Sequence, residues 1–333
     1  MLPRTNTTRA LRWVGLVVFC VGWFGAGAFA ETRNGSAPLT AATVTVLSSN
    51  LANGNTIGEW GFSAFVETPD TCVLFDAGRF EDTVLKNAAA LDIDLSCVTD
   101  MVLSHFHFDH TAGILPLLEH LRARNPDALA RVHVAEGFFL SRRMAARPGE
   151  ANQMIAVREA LEARGVQILE YDVATEILPN IWVTGPVARA FPEKNYPTSI
   201  EVQMDGRWMV DHVPESQGLV LVTAKGPIVL LGCGHSGTVN LLTQVRATIQ
   251  DEPIHALMGG MHLFAATDTT LGWTTDHLRD IGIEHLMAGH CTGIEPLMRL
   301  RQGLNLNRRT AVVGAVGSRF VYGEGIHPTA IAR

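Results

Sequence analysis

The sequence predicts an α/β chain in which two β-sheets pack face to face, with helices covering both outer faces and candidate metal ligands along one common edge. Three observations carry this. The first third reads as strands, the last third alternates strand and helix, and the histidines with unusual surroundings each follow a predicted strand.

Segments 42–47 and 62–67 alternate apolar and polar residues as half-buried strands do, and 71–75 forms a third strand ending at Asp76-Ala77-Gly78. Met101-Val102-Leu103 is a further strand. The following loop runs into a helix with Ile114, Leu117, Leu118 and Leu121 at helical spacing, where Pro116 is tolerated because it falls in the first turn. From about 125 to 206 the texture changes to arginine-rich helical stretches, including 151–164 closed by Gly165, then to proline-containing turns. This is expected to be an insertion beside the site, of the kind that sets specificity. Thereafter come strands at 218–223, 227–231, 254–258 and 283–288, with helices around 239–249 and 274–281.

The loop after the strand at 101–103 reads His105-Phe106-His107-Phe108-Asp109-His110. Imidazole and carboxylate are the donors that zinc and similar cations take, and burying so many ionisable groups together without a cation is costly. The loop can aim His105 and His107 to one side and Asp109 and His110 to the other. That gives two half-sites which need ligands from elsewhere.

Three glycine-flanked histidines can supply them: His235 in Gly232-Cys233-Gly234-His235-Ser236-Gly237, His262 in Gly259-Gly260-Met261-His262, and His290 in Gly289-His290-Cys291-Thr292-Gly293. His262 is equally suited to contacting substrate. His212 is an intermediate candidate. His120, His133, His255, His277, His285 and His327 lack such a context and read as ordinary residues, and Phe106 and Phe108 are expected to pack beneath the loop.

The 333 residues are 47% apolar, enough for a large core. Arg4, Arg9 and Arg12 precede an uncharged apolar stretch over 13–30 that ends in Ala28-Phe29-Ala30. The pattern is expected to be a cleaved signal peptide directing the protein to the periplasm or outside the cell, with an uncleaved membrane anchor as the alternative. A short linker, 31–41, then leads into a single domain over 42–333. Cleavage takes the formal net charge from −7 to −10, and a chain this acidic without a basic run is a poor nucleic-acid binder. Its partner is expected to be a small-molecule substrate. Of the cysteines left, Cys72, Cys97, Cys233 and Cys291, the last two lie beside presumed ligands, where they serve as small buried fillers or, in the alternative, pair as a disulfide.

His105-x-His107-x-Asp109-His110 after a strand, with Leu74-Phe75-Asp76-Ala77-Gly78 before it, resembles the signature of the metallo-β-lactamase superfamily. The later motifs around 183–189, 232–237, 259–263 and 290–293 resemble the branch named for dihydropterin-6-ylmethyl-aminobenzene-ribofuranosyl phosphate synthase. The resemblance implies an αββα sandwich and a centre of one or two divalent metals, zinc normally, with manganese or iron in relatives. It implies that His105 and His107 hold the first metal and that Asp109, His110 and His290 hold the second. His235 stands where many relatives carry a bridging aspartate, so here it takes the first site's remaining place.

The reaction expected is hydrolysis by metal-activated water, with Asp109 orienting the water, His262 protonating the leaving group, and Arg189 and Lys194 meeting an anionic substrate. A phosphoester is the first expectation. A lactone or β-lactam hydrolase, a transferase like the synthase, and a metal-binding protein without catalysis are the alternatives.

Overall fold

The fold is taken from a computed structural model that describes residues 37–145, 147 and 149–333; the expected signal peptide or anchor, and most of the linker, lie outside the described residues. Eight strands form the first sheet, in the order Gly325–His327, Arg319–Val321, Thr43–Ser48, Ser63–Glu67, Cys72–Phe75, Val98–Val102, Arg131–Ala135, Gln167–Tyr171. Seven form the second, in the order Ala311–Val313, Ile283–Ala288, Ile254–Gly259, Ile228–Leu231, Gly218–Leu221, Ile181–Val183, Thr175–Leu178.

Alternation along the strands explains why the sheets stack. Ala64, Val66, Val73 and Phe75 of the first sheet meet Leu219, Leu221, Ile228 and Leu230 of the second in one buried layer, while the intervening Phe65 and Leu74 face the opposite way, toward Leu117, Leu118 and Leu121 of helix Ile114–Arg122. On the far side, Val220, Val229 and Leu231 pack against helices Thr238–Thr248, Asp268–Ile281 and Ile294–Gly303. The outcome is the αββα sandwich.

One expectation needs correction, and one alternative, a Cys233–Cys291 disulfide, falls away while the buried-filler reading stands. Segment 125–206 is not an insertion set beside the sheets, because it supplies two edge strands to each of them; only Arg142–Met144 and Ile200–Met204 leave, to form a three-stranded sheet with Arg207–Val210. These strands are three to five residues long, too short to show a period-2 signal. The disulfide joins Cys72 to Cys97, whereas Cys233 and Cys291 are free and buried. Cys72 opens one strand and Cys97 directly precedes the parallel strand beside it, so the bridge pins the start of that pair.

Topology also places the site. Phe75, Val102, Leu231, Gly259 and Ala288 each end a strand of a parallel pair on the same edge of the sandwich. The loops that follow carry Asp76, His105 to His110, His235, His262 and His290.

Candidate metal centre

His105, His107 and His235 bring one donor atom each within 4.8 Å of one another, and so do Asp109, His110 and His290. These are the two expected half-sites. Between them, His105 Nε2 and His107 Nδ1 are 3.0 Å apart and His110 Nε2 and His290 Nε2 are 3.2 Å apart, while Asp109 Oδ2 lies 3.4 Å from His290 Nε2.

The outer side of each ring fixes its tautomer. Asp76 accepts from Ser104 N and Ser104 Oγ, both at 2.7 Å, so Ser104 Oγ is left to accept from His105 Nδ1 at 2.9 Å. The other oxygen-side partner of Asp76 is His110 Nδ1, at 2.7 Å. His235 Nδ1 donates to the Asn195 carbonyl at 2.5 Å, and His290 Nδ1 faces Asn50 Oδ1 at 3.4 Å. Four rings therefore carry their proton outward and turn Nε2 into the cleft, as metal-binding imidazoles do. His107 is the exception, presenting Nδ1. The buried His235 Nε2 has no hydrogen-bond partner, an orphaned lone pair of the kind a bound cation satisfies. This donor set fits a divalent cation.

Burial and the neighbouring histidines hold His105 and His235 well below the usual histidine range, and burial takes His107 to about 3, so the first set is neutral. The second set differs. Burial lowers His110, but the Asp76 and Asp109 carboxylates outweigh it and lift the group to about 9. Burial raises Asp109, but His110 and His290 outweigh that and keep it ionised.

Close backbone approach assembles the loops. A side chain at Gly232 would overlap the Ser104 hydroxyl, and one at Gly260 would overlap the Gly232 carbonyl. Asp76, His262 and His290 take left-handed backbone, at φ 59°, 49° and 49°, where other residues than glycine are strained.

The metal loop rests on a buried ion network. Arg142 is fully buried, donates to Asp211 at 2.9 Å and Glu215 at 2.5 Å, and lies 4.0 Å from the centre of the Phe106 ring; Glu215 in turn accepts from Phe106 N at 3.3 Å. Burial pushes Glu215 up, to about 7, against the pull of Arg142.

Not every expected residue lines the cleft. His262 does, half-buried, with its ring 4.6 Å from that of His235 and its Nδ1 without a hydrogen-bond partner, although it groups with Cys233 and Cys291 and not with either of these two sets. Arg189 instead donates to the carbonyls of His235, at 3.0 Å, and His212, which braces the His235 loop from behind. His212 joins none of the donor sets. Lys194 lines a neighbouring cavity of about 500 Å³, whose wall also includes His262.

Phe106 is buried, but Phe108 stands at the rim and is not packed beneath the loop, because its loop has turned into the short helix Phe108–Thr111. Sequence reasoning missed the roles of Asp76, Asn50, Asn195 and the Arg142 network, and it missed Cys233, whose Sγ is 3.2 Å from His110 Nε2. Asp76 carried the one available signal, a carboxylate closing an apolar strand before Ala-Gly.

Residues 61–176 match the family model described as the metallo-β-lactamase superfamily. Over 226 residues, 67% of this chain and 76% of the relative, the chain is 26% identical to 7,8-dihydropterin-6-methyl-4-(β-D-ribofuranosyl)-aminobenzene-5'-phosphate synthase of Methanocaldococcus jannaschii. The solved structure of Tm1679, described as a metal-dependent hydrolase of the β-lactamase superfamily, superposes with TM-score 0.65 at 26% identity, covering 80% of this chain and 94% of that one. The metallo-β-lactamase fold protein YhfI from Bacillus subtilis superposes with TM-score 0.53 at 12% identity, over 84% and 99%. The chain therefore has the metallo-β-lactamase fold and resembles the dihydropterin-aminobenzene-ribofuranosyl phosphate synthase branch of the metallo-β-lactamase superfamily.

Proposed function

We propose that the protein is an exported metal-dependent hydrolase of a phosphoester. The observation that carries the reading is the pair of three-donor sets, with Nε2 of four rings turned inward, on the floor of an open cleft of about 370 Å³. A purely structural zinc site closes on four ligands, whereas three ligands per ion leave room for water and substrate.

His105, His107 and His235 would hold one divalent cation and Asp109, His110 and His290 a second. When bound, such ions acidify water and polarise the scissile bond. Asp109, held ionised beside His290, would bind a cation and would accept a hydrogen bond from the attacking water. His262, with its unpartnered Nδ1 at the cleft wall, is placed to give the leaving group a proton. Arg79 on the wall supplies a guanidinium for an anionic ester, in the part the sequence gives to Arg189. The Cys72–Cys97 disulfide supports export into an oxidising compartment.

The test is hydrolysis of bis-p-nitrophenyl phosphate by the purified chain reconstituted with zinc or manganese. Chelator-sensitive release of p-nitrophenol, with metal content of up to two per chain, is the expected result. Opening of lactones with no phosphoester cleavage would replace the reading with the lactonase one, and bound metal without turnover of either would overturn hydrolysis.

A further inference from the structure

The exposed phenylalanines and tryptophan among the described residues gather at this one cleft: Trp60, at 44% exposure, and Phe108, at 48%, line it, Phe264, at 52%, touches the lining residues Trp60 and His262, and Phe80, at 55%, lies beside the lining Arg79. Scattered exposed apolar residues are ordinary, but a ring of aromatics around one opening marks a binding surface. The members are contiguous. Trp60 lies 5.8 Å from Phe264 and 5.3 Å from the ring of His290, so the rim reaches the second donor set. The Arg79 guanidinium sits 4.6 Å from the centre of Phe108 and 5.6 Å from that of Phe80.

The rim is also held from beneath. Glu59 is buried, and its carboxylate accepts from Ser48 Oγ at 2.6 Å, Arg79 N at 2.8 Å and Phe80 N at 3.0 Å. One buried carboxylate thus fixes both the loop that carries Trp60 and the loop that carries Arg79 and Phe80. Within the cleft the walls continue apolar, with Phe106, Met144, Pro197 and Ile200, of which Met144 and Ile200 face each other on paired strands of the small sheet. Away from the metal donors, Arg79, Gln153 and His262 are polar side chains on that wall.

We infer that the substrate is an amphiphile: an anionic, hydrolysable head seated between the two donor sets and Arg79, and an alkyl chain lying along Phe106, Met144 and Ile200 and out past Trp60, Phe108 and Phe264. The inference rests on the phosphoester reading for the head, and on the rim for the chain. Transferring methylenes from water onto such a wall favours longer chains by about 0.8 kcal/mol for each one fully buried, roughly fourfold.

Two measurements on the metal-loaded protein test it: kcat/KM for p-nitrophenyl alkyl phosphodiesters with methyl, butyl and octyl groups, and calorimetric affinity for methylphosphonate against octylphosphonate. Both are expected to rise at least tenfold from methyl to octyl, and the rise to flatten below threefold in Phe108→Ser and Phe264→Ser. Octylphosphonate bound tightly with no ester cleaved would support the amphiphile while sinking the phosphoester reading. Esters cleaved with no chain preference would do the reverse. A chain preference that survives in both rim variants, or a wild-type protein that sediments with phosphatidylglycerol vesicles while the two phosphonates bind alike, would overturn the inference.

Discussion

The two donor sets share a cleft but differ in charge. His105, His107 and His235 are neutral imidazoles surrounded by other histidines, whereas His110 and His290 work beside Asp109, with Asp76 on the outer side of His110. The first set offers geometry without charge. The second offers a carboxylate and holds a proton that a cation must displace. An ion taken by the second set is therefore drawn in by Coulomb attraction, and one taken by the first set relies on the fit of three rings.

Removing a ligand breaks the comparison most severely. Asp109→Ala is expected to cost more than about a hundredfold in metal-dependent turnover, beyond the range of outer partners, and to lower metal content more than His235→Ala does; equal losses measured by elemental analysis would mean charge does not separate the sets. Next comes Asp76→Asn. Because Asp76 fixes Ser104 and His105 on one side and His110 on the other, metal affinity at both sets should fall about 10–100-fold. An effect confined to one set would show that the Ser104 relay is dispensable.

The pH dependence sharpens the contrast further. His110 is lifted to about 9, so below that pH a cation entering the second set must expel its proton, and affinity should rise by about tenfold per pH unit and level off near 9. In the first set His107 sits at about 3, and burial keeps His105 and His235 low, so uptake should stay flat from pH 6 to 9. Titrating zinc into the chain at several pH values reads both phases. The smallest effect belongs to Asn50→Ala, which removes an acceptor 3.4 Å from His290 Nδ1 and should weaken the second set by a few-fold at most. A larger loss would give Asn50 a part equal to that of Asp76.

Much of the site was legible because its donors lie in short, chemically dense motifs. His105 to His110 needs no long-range information to read as a metal loop, and the glycines around His235 and His290 mark loops that approach closely. Charge partners were not legible. Nothing local distinguishes Arg142 from its neighbour Arg143, yet the first is fully buried against Asp211 and Glu215 and the second pairs at the surface with Glu201. Arg189 shows the opposite error, a cation near the site that spends its donors on backbone carbonyls.

In the fold, long alternating strands such as Thr43–Ser48 were found within a residue or two, and the layered packing followed from them. The short outer strands Arg131–Ala135, Gln167–Tyr171 and Thr175–Leu178 were absorbed into a supposed insertion because four or five residues carry too little periodicity. The strands Arg319–Val321 and Gly325–His327 were missed for the same reason.

Those last strands bear on how the molecule is made. Thr43–Ser48 pairs on one side with Ser63–Glu67, which follows it closely in the chain, and on the other with Arg319–Val321, which is made far later. Until then one edge of the first sheet is bare, a surface open to pairing with other chains. Pairing of that edge thus waits for Arg319–Val321 to be made, and a ribosome stalled short of Arg319 would display a sticky nascent edge.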